Sequence, residues 1–111
     1  MGISMEKTGD VIVLRPDGPA LNFENHEALR EAFHSIADQP VKAVLLNLDL
    51  VDQIDSVGLG AIVAGRLKLK GKGDIHLCSL APNVESTVHF ARLDLIFKVH
   101  DSKAAAIASI K

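Results

Sequence analysis

Short aliphatic runs separated by stretches of helical period leave this chain few folds to choose from. Val11-Ile12-Val13-Leu14, Val44-Leu45-Leu46, Ile75 with Leu77, and residues 95–99 are each followed by a segment whose apolar residues recur every three or four positions. Strands alternating with crossover helices in one α/β sheet produce this pattern. No repeat or low-complexity segment interrupts it.

The first run follows Gly9-Asp10 and stops at Pro16-Asp17-Gly18-Pro19, where prolines cannot donate to a ladder and glycine suits a turn. It pairs as an N-terminal hairpin with residues 3–7. With Asn22 as N-cap, Leu29, Ala32, Phe33 and Ile36 form one apolar stripe of a first helix that ends before Pro40. Residues 41–50, apolar on both alternating faces, read as a central strand buried between two layers.

Leu59, Ile62, Val63 and Leu67 give the stripe of a second helix, with Arg66, Lys68 and Lys70 loading its C-terminal half before a Gly71 cap. Asp74 to Leu77 read as a fourth strand. Pro82 opens a third helix carrying Val84, Val88 and Ala91. Residues 95–99 read as the last strand, and Asp101 caps a C-terminal helix with Ala104, Ile107 and Ala108 inward. The 111 residues therefore predict one α/β domain, 1–111, with a mixed sheet.

Net charge is −2 and the cations are scattered among acids, so no basic stripe marks a nucleic-acid binder. No run approaches the roughly 18 apolar residues of a membrane span, and the N-terminus lacks a cationic stretch followed by an apolar one. These features predict a cytoplasmic protein with no membrane partner. The single cysteine, Cys78, leaves no internal disulfide and reads as a buried inert thiol. His76 stands two positions before it, but two ligands without a second pair make a poor metal site, so packing is the reading here.

Chemistry concentrates in Ile54-Asp55-Ser56-Val57-Gly58-Leu59-Gly60, at the start of the second helix. A nucleophilic serine needs a base and sits in a G-x-S-x-G elbow, and neither is evident here, although five histidines are present. Gly58-Leu59-Gly60 and Gly71-Lys72-Gly73 are too short for a phosphate loop or dinucleotide fingerprint. Two readings of Ser56 stay open on the residues alone. Its hydroxyl caps the helix, worth about 1 kcal/mol, or it accepts a phosphoryl group, whose charge the positive helix end accommodates and a docked partner does not.

The same stretch, preceded by Val44-Leu45-Leu46-Asn47-Leu48, closely resembles the signature of the bacterial anti-sigma factor antagonists, the STAS-domain family. The resemblance extends from residues 11–18 through the Gly71-Lys72-Gly73 turn to the closing ARLDLIFKVHDSKAAAIASI. It implies a STAS-like fold and a non-enzymatic partner-switching protein. The unphosphorylated form would bind an anti-sigma serine kinase and free the sigma factor. Phosphorylation at Ser56 would end that binding, and a serine phosphatase would reset it.

No cofactor is implied, since ATP belongs to the kinase, and a monomer is typical of switching members. The partner-binding residues would be Asp55, Ser56, Val57, Gly58, Leu59, Gly60, Arg66 and Asn22. Val57 replaces the hydroxyl residue that commonly follows the phosphoacceptor, and Asn22 stands where an aspartate is more usual. The alternative within the family is a non-switching scaffold or ligand-binding module. A small hydrolase acting through Ser56 stands third.

Overall fold

Three parallel strands carry the sheet: β2 (Val11–Pro16), β4 (Ala43–Asn47) and β6 (Asp74–Cys78), with Val11 opposite Ala43 and Ala43 opposite Asp74. The computed structural model describes residues 2–69 and 73–110. Ile12, Leu14, Val44, Leu46, Ile75 and Leu77 point into the larger core. The alternate residues Val11, Val13, Ala43, Leu45 and Cys78 point into a second, smaller core on the other face. A strand covered on both faces cannot alternate polar with apolar, which is why these runs are continuously aliphatic.

β1 (Ile3–Thr8) pairs antiparallel with β2, completing the expected hairpin. With β7 (Lys98–His100) the sheet order is β1-β2-β4-β6-β7, mixed as expected. Two short strands, β3 (Ala20–Leu21) and β5 (Gln53–Ile54), form a separate parallel pair with Leu21 opposite Ile54. Helices α1 (His26–Ile36), α2 (Ser56–Leu69) and α3 (Pro82–Phe90) cover the larger core, and α4 (Lys103–Ile110) covers the smaller one.

Several boundaries differ from the sequence reading. Asn22 is not the cap of α1. Its side chain accepts the Glu24 N–H and its carbonyl accepts Asn25 and His26, so it makes a turn that ends at Asn25, the residue before the helix. The central strand is trimmed to Ala43–Asn47. In α3, Pro82, Val84 and Val88 behave as expected, whereas Ala91 is exposed just past the helix end.

The second helix turns a different face inward. Gly58, Ala61, Ile62, Gly65 and Leu69 are buried, Leu59 and Val63 are half-buried, and Leu67 is 68% exposed. Two glycines set this rotation by close approach. A Cβ on Gly65 would lie 2.4 Å from the Phe33 ring, and one on Gly58 would lie 2.3 Å from the Leu21 carbonyl oxygen. Phe33 is buried, worth about 2–3 kcal/mol, and seats in the space that Gly65 leaves. Lys70, the Gly71 cap and the Gly71-Lys72-Gly73 turn lie outside the described residues.

At the C-terminal end, Leu93–Leu95 form a short 3-10 turn, and the last strand begins only at Lys98. Ile96 and the 78%-exposed Leu95 fall outside it, because Leu93 and Phe97 supply the buried contacts in this stretch. α4 is capped by Ser102, whose hydroxyl accepts the Ala105 N–H, rather than by Asp101. Ala106 and Ile110 face inward with Ile107 half-buried, while Ala104 and Ala108 are exposed.

Candidate functional site

The β3 and β5 pair brings two loops side by side, one running from Leu21 into α1 and the other from Ile54 into α2. The Asp55 N–H donates to the Leu21 carbonyl at 3.2 Å. Each oxygen of the Asp55 carboxylate then accepts a backbone N–H: Oδ1 from Gly58 at 2.8 Å, and Oδ2 from Phe23 at 3.2 Å. The first bond is a helix cap, and the second ties the neighbouring loop to it.

Asp55 is therefore the residue that caps α2, and the cap reading of Ser56 is corrected. The Ser56 side chain occupies the first helical position, is exposed, and makes no hydrogen bond among the described residues. The N–H groups of Ser56 and Val57 have no protein partner among those residues, so the positive end of the helix stays open beside the hydroxyl. No histidine is hydrogen-bonded to it, so the nucleophile and base pair of a serine hydrolase is not formed.

Of the other residues singled out by sequence, Val57, Leu59 and Gly60 are half-buried around the same turn and Gly58 is buried beneath it. Asn22 lies in the adjoining loop, its N–H donating to the Asn25 Oδ1 at 2.8 Å. Arg66 is exposed on α2, about 15 Å further along the helix axis, and does not join the cluster.

Two residues went unread in the sequence. Phe23, 66% exposed, stands next to the serine turn on the loop that Asp55 holds. Its only sequence signal is an aromatic isolated in a polar turn. Arg30, anchored by donating from Nε to His26 Nδ1 at 2.8 Å, brings its Nη2 to 3.7 Å from where a Cβ on Gly60 would be. Ser56 and Gly60 are one turn apart on the same helix face.

Elsewhere, Cys78 is fully buried, and burial pushes its thiol pKa up, as suits an inert core cysteine. His76 packs against His100, with Nδ1 and Nε2 2.9 Å apart and the rings stacked at 5.1 Å between centroids. Among the described residues, no group of three or more His, Cys, Asp or Glu side chains could hold a metal. No helix among them is long and apolar enough to cross a membrane.

Residues 2–106 match the sequence profile of the STAS domain, and the chain belongs to that family. BtrV of Bordetella bronchiseptica, provisionally named an anti-sigma factor antagonist, is 29% identical over 112 residues, spanning 100% of this chain and 96% of its own. A crystal structure from Thermotoga maritima, also provisionally named an anti-sigma factor antagonist, matches with a TM-score of 0.87. It is 27% identical, over 97% of this chain and 93% of that one.

The anti-sigma factor antagonist SpoIIAA shares the fold at 20% identity. Its unphosphorylated form gives a TM-score of 0.80 over 98% of this chain and 96% of its own. Its phosphorylated form, from Bacillus, gives 0.74 over 99% and 100%.

Proposed function

We propose that this chain is an anti-sigma factor antagonist that works by partner switching in the bacterial cytoplasm. Unphosphorylated, it docks on an anti-sigma serine kinase through the Ser56 turn, and the sigma factor goes free. Phosphorylation of Ser56 ends the docking, and a serine phosphatase restores it. The protein itself performs no catalysis and needs no cofactor.

The observation that carries this reading is the division of labour between Asp55 and Ser56. Because the aspartate caps the helix, the serine hydroxyl is exposed and unengaged, as a kinase substrate must be. Val57 leaves Ser56 the only hydroxyl between residues 53 and 60. A phosphoryl group of about −1.5 to −2 charges there lies at the open positive end of α2 and costs the fold little. On a surface made of Phe23, Val57 and Gly60 it presents a charge that an apolar partner face would have to desolvate. Arg30, on the same side of the helix, supplies an intramolecular cation for the modified state.

Binding of the wild type and Ser56→Asp to the anti-sigma serine kinase, measured by calorimetry, tests the reading. At least a tenfold loss for Ser56→Asp is expected, about 1.4 kcal/mol. Equal affinities would overturn the switch and favour a constitutive STAS scaffold.

A further inference from the structure

Arg30 carries a cation that the rest of the fold leaves unanswered. It is half-buried on α1 beside α2, and among the described residues no carboxylate pairs with it, neither Glu27 nor Glu31 on its own helix. Its Nε donates to His26 Nδ1 at 2.8 Å, which restrains the plane of the guanidinium. The Nη hydrogens of the fork are left without an acceptor among those residues.

Gly60 keeps that fork open toward Ser56. A Cβ at Gly60 would lie 3.7 Å from Arg30 Nη2, an ordinary contact, whereas the approaches at Gly58 and Gly65 leave no room for a side chain. Packing therefore does not require this glycine, and its effect is to leave the guanidinium uncovered along the helix face. Ser56 is the exposed residue one turn earlier on that face, at about 5–6 Å between Cβ positions. A phosphoryl group on the Ser56 Oγ lengthens the side chain into this interval, and a charged hydrogen bond of about 2.7–2.9 Å closes the remainder. The modified turn would also need a cation, because the Asp55 carboxylate beside it already accepts two N–H groups and brings negative charge but no donor.

We propose that Arg30 is the intramolecular receptor of phosphorylated Ser56, its Nη groups taking two phosphoryl oxygens and holding the dianion against α2. The inference rests on the switching role of Ser56. In that role the Ser56 Oγ–P bond forms on the kinase as the bond from the γ-phosphoryl group of ATP to ADP breaks, the hydroxyl proton passes to solvent, and Arg30 engages only afterwards. A guanidinium fork matches two phosphate oxygens and favours their charged form. A phosphoserine loses its last proton at about pH 6, so the clamp makes the group a full dianion at neutral pH, where the switch must hold. It also withdraws Arg30 from any partner carboxylate, so that one modification adds an anion to the docking face and cancels a cation there.

The test is phosphorus NMR of the full chain with phosphoserine installed at position 56 during translation, so that no kinase is needed. The phosphate is titrated in the folded protein. Because the open N–H groups of α2 lower its second pKa on their own, the quantity read is the difference between variants. Arg30→Gln should raise that pKa by about 0.5 or more, which is at least threefold in proton affinity. Arg30→Lys should recover part of the difference, and Arg66→Gln, further along α2, should leave the wild-type value unchanged. In wild type the Arg30 Nε–H signal should move on phosphorylation and follow the same titration, which decides the matter even if Arg30→Gln fails to fold. Equal phosphate titrations in wild type and Arg30→Gln, or an Arg30 signal that the phosphoryl group does not move, would overturn the proposal. Failure of the switching role is read separately, as a kinase that binds the unmodified chain and leaves Ser56 unphosphorylated.

Discussion

The Asp55 carboxylate holds the Phe23 backbone N–H at 3.2 Å while its other oxygen caps α2. One side chain thus sets both the start of the helix and the position of the exposed aromatic beside it. Asp55→Ala should lower unfolding stability by about 1–2 kcal/mol, from loss of the cap and the loop tie. Ser56→Ala should stay within about 0.5 kcal/mol of wild type. Urea denaturation of the two variants checks the assignment, and the opposite ranking would return the cap to Ser56.

Phe23 is the apolar anchor we expect a partner to cover. Exposed side chains contribute little to the isolated fold, whereas aromatics buried at the centre of an interface carry much of its energy. Phe23→Ser should leave the melting temperature near wild type and weaken kinase binding about tenfold or more, read by calorimetry.

The packing of α1 on α2 depends on Gly65 having no side chain. Gly65→Ala places a methyl 2.4 Å from the buried Phe33 ring, which must shift. The expected cost is about 1–3 kcal/mol. In the Phe33→Leu background the added methyl should cost clearly less, and a double-mutant cycle by thermal denaturation would show that coupling.

The His76 and His100 pair gives the fold an acid-sensitive seam. Burial, then the charges of His100 and Lys98, hold the His76 pKa below its ordinary value against an opposing pull from Asp74. As pH falls through about 6.5 the unfolded chain therefore takes up the proton before the folded one. The His76 contribution is complete above that pH and is lost below it. Stability should drop between pH 7.5 and 5.5, and His76→Gln should flatten that slope in denaturation curves taken at each pH.

The sheet was legible because burial on both faces leaves strands no choice but continuous aliphatic runs, as at Val44-Leu45-Leu46. The inward face of α2 was not. Gly58, Ala61 and Gly65 carry almost no hydrophobic signal, and what places them inward is how closely Leu21 and Phe33 approach. Leu67 offered the stronger apolar cue and faces outward.

The last strand slid for a similar reason, since exposed Leu95 and Ile96 look more strand-like than Lys98 and His100. At the candidate site, the sequence singled out the turn but not that Asp55, rather than Ser56, caps the helix within it. Asp55 and Ser56 both suit a cap, and only the pairing of Leu21 with Ile54 decides which stands at the helix entrance. Arg30 and Phe23 come from another part of the chain, so only the fold brings them to the turn.

The central claim is that Ser56 is the phosphoacceptor of a binding switch. Its most direct test is intact-mass measurement of wild type and Ser56→Ala after incubation with ATP and an anti-sigma serine kinase shown to bind this chain and to be active on another substrate. The account predicts a gain of one phosphoryl group by wild type and none by Ser56→Ala. An unmodified wild type, or equal modification of both, would contradict it.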